Sequence, residues 1–276
     1  MVSIFKLFSR LPLWLLHALG WALGWLVFIV SRPYRQRFLA NIARAGYRFS
    51  QVRGAVGQAG RMTAELPRLW FGAPVPVLWP DTQAVDRANS SAQGIVFLTP
   101  HMGCFEITAQ AVAQRYSERH GPLTVLYRPA RKAWLTELVT VARRRPGLQA
   151  VPTNLTGVRL MIKALRQGQA VGLLPDQVPP FGMGQWAPFF GHDAYTMTLS
   201  ARLAQQTGAT VLLAWGERLS WGRGFRVHVQ PLASALPADS AQAATRVNQA
   251  MEALIRHCPQ QYLWGYARYK QPRQEA

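Results

Sequence analysis

Gly94-Ile95-Val96-Phe97-Leu98-Thr99-Pro100-His101-Met102-Gly103-Cys104-Phe105-Glu106 sets the fold class of this chain. Gly94 to Thr99 is an apolar run rich in branched and aromatic residues and stopped by Pro100, which predicts a buried strand of a parallel sheet. Phe105, Ala109, Val112 and Tyr116 then recur at helical spacing, so the chain is expected to turn through Gly103 into a helix. His101 therefore falls at the carboxyl end of a strand, the edge at which open α/β sheets bind ligands.

Five residues turn through about 500° on an ideal helix, so His101 and Glu106 cannot meet as two residues of one helix. With His101 in the turn and Glu106 on the helix, the carboxylate can reach the imidazole, fix its tautomer and support the imidazolium. That makes His101 a candidate general base and Glu106 its orienting partner. Taken alone, the spacing equally fits a histidine satisfied by a backbone carbonyl and a glutamate facing solvent.

Two further apolar runs end in the same manner. Leu123 to Tyr127 leads into Arg128-Pro129, and Ala170 to Leu174 into Pro175-Asp176-Gln177. Parallel strands share one carboxyl edge, so His101, Arg128 and Asp176 are expected on one rim although they are far apart in sequence. Helices are predicted near 132–144, 156–166 and 196–207, strands at 210–215 and 225–229, and a last long helix from Asp239 or Ser240 to before Pro259. The fold class expected is α/β, a mostly parallel sheet flanked by helices.

Leu11 to Val30 holds 20 positions without an acid, lysine or arginine. That is about what crosses a hydrocarbon core of roughly 30 Å, and Trp14, Trp21 and Trp25 also suit a helix lying in the membrane interface. Ser31-Arg32-Pro33-Tyr34-Arg35 makes a poor signal-peptide cleavage site. The expected organisation is an N-terminal membrane anchor at 1–33, a basic amphipathic helical region at 34–80, and an α/β core at 81–276.

The chain carries 31 Lys and Arg against 12 Asp and Glu, a net charge of +19. Residues 1–70 hold ten basic residues and one acid, Glu65. Such a stretch favours an anionic lipid surface, each basic group near it contributing about 1 kcal/mol. Four of the arginines follow the apolar helix within fifteen residues while Lys6 and Arg10 precede it, which orients the globular part to the cytoplasm. Zinc spacing, RNA-binding aromatic signatures and helix-turn-helix patterns are lacking, so no nucleic-acid partner is expected despite the high pI. Cys104 and Cys258 are too few for a disulfide framework, and neither points to a metal site.

With these residues assembled, the chain resembles the late acyltransferases of lipid A biosynthesis, the lauroyl and myristoyl transferases within the wider glycerolipid acyltransferase group. The resemblance covers nearly the whole chain. It includes the N-terminal anchor, the His101 to Glu106 box, Tyr127-Arg128-Pro129, Pro175-Asp176-Gln177, Pro188-Phe189-Phe190-Gly191 and Gln261-Tyr262-Leu263-Trp264. Cys104 and Phe105 stand where asparagine and tryptophan are common. The resemblance implies transfer of a fatty acyl chain from acyl carrier protein to a hydroxyl of a phosphorylated, anionic lipid A precursor at the bacterial inner (plasma) membrane, with no cofactor. In that scheme His101 deprotonates the hydroxyl, Glu106 orients His101, and the oxyanion takes donors from backbone N–H groups around Gly103 or from a nearby arginine. Arg128 is a candidate for an acceptor phosphate or carboxylate, or for pairing with a local acid. Asp176 is a candidate for structural support of an arginine, which is favoured, or for the acceptor site, and Gln177 is a candidate for the acceptor site. Cys104 beside a histidine raises a covalent acyl-cysteine route, but the resemblance implies direct transfer, with Cys104 packing as a small apolar residue. The same catalytic residues would serve another lipid acceptor such as a glycerolipid, and the basic front alone would serve a non-catalytic anionic-lipid-binding protein.

Overall fold

A computed structural model describes residues 2–127, Leu138, Ala142 and 145–274. The N-terminal quarter is helical, with α1 (Val2–Phe8), α2 (Leu13–Val30), α3 (Arg32–Arg44), α4 (Phe49–Val52), α5 (Gly54–Ala64) and α6 (Leu66–Phe71). Pro33 and Pro67 lie in the first turns of α3 and α6, where a missing N–H costs nothing. There follow β1 (Val77–Leu78), α7 (Gln83–Ser90), β2 (Ile95–Leu98), α8 (Phe105–His120), β3 (Leu123–Tyr127), β4 (Leu148–Pro152), α9 (Leu155–Arg166) and β5 (Ala170–Leu173). The chain ends through β6 (Gly184–Phe189), β7 (His192–Met197), α10 (Leu199–Thr207), β8 (Thr210–Arg218), β9 (Phe225–Pro231) and α11 (Ser240–His257). The helix expected over 132–144 falls outside the described residues except for Leu138 and Ala142, both helical and buried.

Seven strands form one sheet in the order β1-β9-β8-β2-β5-β3-β4. It is mostly parallel, as expected, with β9 antiparallel to β8. All four residues of β2 are buried because helices cover both faces. Val96 and Leu98 pack with Met161 and Leu165 of α9 and with Met251 and Leu254 of α11, while Ile95 and Phe97 meet Val112 of α8 and Val85 of α7. Sequence reading placed the start of α10 at Thr196. Thr196 and Met197 instead pair with Gln185 and Gly184 in a β6–β7 hairpin. Its two-residue turn, Phe190-Gly191, has positive φ at both positions, the geometry that matches strand twist.

The apolar helix α2 does not stand apart from the body. Gly20 and Gly24 face Gly57 and Gly60 of α5 so closely that a Cβ on Gly20 would lie 2.7 Å from the Cα of Arg61, and one on Gly60 would run into the Gly20 carbonyl. Leu13, Leu16, His17 and Phe28 are buried in the same seam. The outer side of α2 presents Trp14, Leu19, Leu23, Leu26, Ile29 and Val30. It is long and apolar enough to cross a membrane.

Candidate active site

β2 and β5 are neighbours with Leu98 opposite Leu173. His101 lies three residues beyond the first and Asp176 three beyond the second, so the two leave the sheet at the same height. The Asp176 carboxylate grips His101 twice. Oδ2 accepts the His101 backbone N–H at 2.9 Å, and Oδ1 lies 2.7 Å from Nδ1. A carboxylate only accepts, so Nδ1 carries the hydrogen, and in the neutral ring the lone pair is on Nε2. The His101 side chain is 17% exposed, while that of Asp176 is 1% exposed. Phe105 stands edge-on against the imidazole, ring centroids 5.1 Å apart.

Burial pushes the Asp176 carboxyl up, but the charge and hydrogen bonds of His101 and the field of Arg268 outweigh it, so the group sits below the usual carboxylate range. It stays ionised at neutral pH. Tyr262 closes the far side of Asp176; burial and the Asp176 charge push its hydroxyl well up, keeping it neutral. Arg268 is buried and held by the Tyr195 carbonyl at 2.7 Å and by Thr196 Oγ1 at 2.7 Å. Gln177 follows Asp176 in the same loop and is half-buried.

The turn after His101 is clamped on every side. Leu263 N donates to the His101 carbonyl, Gly103 N to Gln261 O at 2.9 Å, Cys104 N to Gly216 O at 2.8 Å and Met102 N to Pro100 O at 2.7 Å. Gly103 has a φ of 58°, and a Cβ there would meet the Gly216 carbonyl, so only glycine fits. These bonds occupy three of the backbone N–H groups around Gly103 and leave the oxyanion expectation to the rest of the turn. The amides of Met102, Gly103 and Cys104 are already spent inside the protein.

The carboxylate on the imidazole is not the one expected. Glu106 occupies the first turn of α8, but its Oε2 accepts from Trp70 Nε1 at 3.4 Å, on the side of α6. A cleft of about 350 Å³ lies on that side, lined by Arg68, Leu69, Ile107, Gln110 and Arg145. Glu106 acts on the Arg145 guanidinium, which burial pushes down and the Glu106 charge raises. The strand register delivers Asp176 to Nδ1 without any demand on the helix. Arg128 lies outside the described residues. Cys104 caps α8, its sulfur accepting from Ile107 N at 3.4 Å, and burial pushes its thiol well above the ordinary value, which disfavours the thiolate that covalent transfer needs.

Sequence reasoning singled out Tyr262 only as part of the Gln261 to Trp264 box, without a role, and missed Arg268 and the buried pair Glu65 and Arg218. One signal for Glu65 was present, since it is the single acid of residues 1–70. A lone carboxylate in an apolar and basic stretch is a candidate for a buried partner.

The sequence profile of the family described as "Bacterial lipid A biosynthesis acyltransferase" matches residues 2–271. The lipid A biosynthesis palmitoleoyltransferase of Escherichia coli (strain K12) is 26% identical over 98% of this chain and 89% of its own length. The lauroyltransferase of the same organism is 28% identical over 64% of this chain and 55% of its own length. Its myristoyltransferase is 23% identical over 67% and 56%.

Proposed function

This chain belongs to the bacterial lipid A biosynthesis acyltransferase family, and on that premise we propose that it moves a fatty acyl chain from an acyl carrier protein thioester to a hydroxyl of a phosphorylated lipid A precursor. Membership makes it an acyltransferase, which sets aside a purely lipid-binding role. The observation that carries the mechanism is the 2.7 Å contact between His101 Nδ1 and the buried Asp176. Among the described residues no hydrogen-bond partner stands at Nε2. In the proposed reaction Nε2 takes the proton as the acceptor oxygen attacks the thioester carbonyl carbon. The tetrahedral intermediate collapses with cleavage of the C–S bond, and the imidazolium returns its proton to the departing thiolate. General-base help of this kind typically contributes about 10²–10⁴ in rate.

Asp176 fixes the tautomer and balances the imidazolium. Glu106 acts on the same centre through space, from the α6 side. In the same proposed reaction the oxyanion takes donors from the remaining N–H groups of the turn or from a nearby arginine, and Arg128 holds a phosphate or carboxylate of the acceptor. The apolar outer side of α2, together with Trp221, which is 88% exposed at the β8–β9 turn beside Trp14, supports attachment to the bacterial inner membrane. The arginines that follow α2 support a cytoplasmic catalytic face.

Incubating the purified protein with acyl carrier thioesters of several chain lengths and a phosphorylated lipid A precursor tests the reading by mass spectrometry. A product heavier by one acyl group is expected. Transfer to glycerolipid alone, or to nothing, overturns it.

A further inference from the structure

Glu65 is fully buried, and its carboxylate is held by charged and polar groups. Its Oε1 accepts from Arg218 Nη2 at 2.6 Å, and its Oε2 from Arg218 Nε at 2.7 Å and from His17 Nε2 at 3.0 Å. Arg218 gives its Nη1 to Gln58 Oε1 at 2.7 Å and shares Nη2 with the Gly103 carbonyl at 2.8 Å. Its backbone is locked to Gln261, whose Oε1 accepts the Arg218 N–H at 2.9 Å and whose Nε2 donates to the Arg218 carbonyl at 3.1 Å. The same Gln261 holds Gly103 N through its own carbonyl. Gly103 is thus fastened to Arg218 directly and through Gln261, two residues from His101.

A buried ion pair is a poor stabiliser, because desolvation offsets its attraction, and apolar residues of similar size often serve a core as well. What this pair supplies that an apolar pair cannot is a donor aimed at the catalytic turn. At the other end it is touched by His17, the sole titratable side chain of α2. The chain of contacts runs from the helix with the apolar outer side, through Glu65 and Arg218, to the turn bearing His101.

We propose, resting on the reading of His101 as the base of an acyltransferase, that His17, Glu65 and Arg218 are positioning residues that make the seat of α2 on the body part of the active site. The apolar helix then sets the aim of the imidazole as well as holding the enzyme at the lipid surface. Small displacements suffice, since a misplacement of about 1 Å can cost on the order of 10²-fold in rate.

The test uses the full chain in phospholipid vesicles, assayed with acyl carrier thioester and phosphorylated lipid A precursor. Transfer by the wild type and none by His101→Ala secures the underlying reading; an inactive wild type overturns that reading and the proposal with it. His17→Ala is expected to lower kcat about tenfold, with KM for both substrates within about twofold of wild type and membrane pelleting unchanged. His17→Gln, whose amide can still donate to Glu65, is expected to recover most of that kcat. The double variant Glu65→Leu with Arg218→Met removes both charges together, so it should fold yet remain slow by about tenfold or more. A folded double variant with wild-type kcat overturns the proposal while leaving the acyltransferase reading intact. So does a His17→Ala whose only defect is in KM or in thermal midpoint.

Discussion

Of the three histidine–carboxylate pairs among the described residues, two have a buried acid, His101 with Asp176 at 2.7 Å and His17 with Glu65 at 3.0 Å, and they do different work; the third, His228 with Glu217 at 2.9 Å, is partly exposed on β9 and β8. At the sheet rim Asp176 spends both oxygens on His101, whose side chain is 17% exposed and whose Nε2 has no hydrogen-bond partner among the described residues. In the α2 seam the histidine itself is sealed in, at 3% exposure, and Glu65 is shared with a fork from Arg218. Pairing alone therefore says nothing about catalysis. Place in the fold does: His101 stands beyond the carboxyl end of β2, where parallel sheets bind ligands, whereas His17 lies in a helix seam.

Removing the rim imidazole is the heaviest blow to that contrast. His101→Ala is expected to lower kcat/KM by about 10²–10⁴ with a thermal midpoint near that of wild type, since the ring is partly exposed and at the edge of the core. Turnover within tenfold of wild type in purified His101→Ala breaks the assignment of roles to the two pairs. Asp176→Asn comes next. An amide at this position can present its NH₂ group to Nδ1 and so stabilise the wrong tautomer, and a loss of about 10²-fold or more in kcat is expected. A pH–rate profile that keeps its wild-type shape and height in Asp176→Asn argues that another group orients the base.

The buried pair should answer in stability. Glu65→Gln strips the counter-charge from Arg218, which has no water to turn to, and breaking a buried pair in this way typically costs about 3–5 kcal/mol. Denaturant unfolding of the two single variants measures it: a loss under about 1 kcal/mol for Glu65→Gln, with Asp176→Asn costing more, reverses the comparison.

Acid sharpens the same point. Burial pushes the Glu65 carboxyl up, but Arg218 and His17 together overcome this and bring it to about 2, against an ordinary value of 4.5. A carboxylate depressed on folding stabilises the native state above its unfolded value, and that contribution drains away as pH falls from about 4.5 toward 2. Stability should therefore fall more steeply in that window for the wild type than for the Glu65→Leu and Arg218→Met double variant. Equal slopes in parallel acid titrations would mean that Glu65 is protonated at ordinary acidity.

The strands of the sheet were readable because β2 and β5 are apolar on both faces, and a run such as Ile95 to Leu98 has few other uses. His101 was readable because Pro100 marks where β2 stops. Sequence proximity points to Glu106 as its partner, whereas strand register, invisible until Leu98 is set opposite Leu173, brings Asp176 to Nδ1. The β6–β7 hairpin hid behind Thr196 and Met197, which suit a helix start as well as a strand end. The seat of α2 on α5 was encoded in Gly20, Gly24, Gly57 and Gly60, but a glycine signals close approach without naming what approaches. Tyr262 and Arg268 act only through folding of the C-terminal segment over Asp176, and no periodicity announces that.

Glu106 provides the finest test, because it stands in the His101 box yet belongs to neither pair. Its Oε2 is bonded to Trp70 and its charge acts on Arg145, so it ties the start of α8 to α6 beside the cleft. Its position in the first turn also suits the helix dipole, worth about 0.3–1 kcal/mol at such a site. Glu106→Gln keeps the acceptor for Trp70 and loses only the charge. The expected result is a fall in kcat of less than about tenfold, well below that of Asp176→Asn, since the tautomer of His101 is set elsewhere. If Glu106→Gln proves the more damaging of the two in single-turnover assays, then Glu106 swings onto the imidazole when substrate binds. Asp176 would in that case hold the resting enzyme, and the partner used in the reaction would be the residue five positions along the chain.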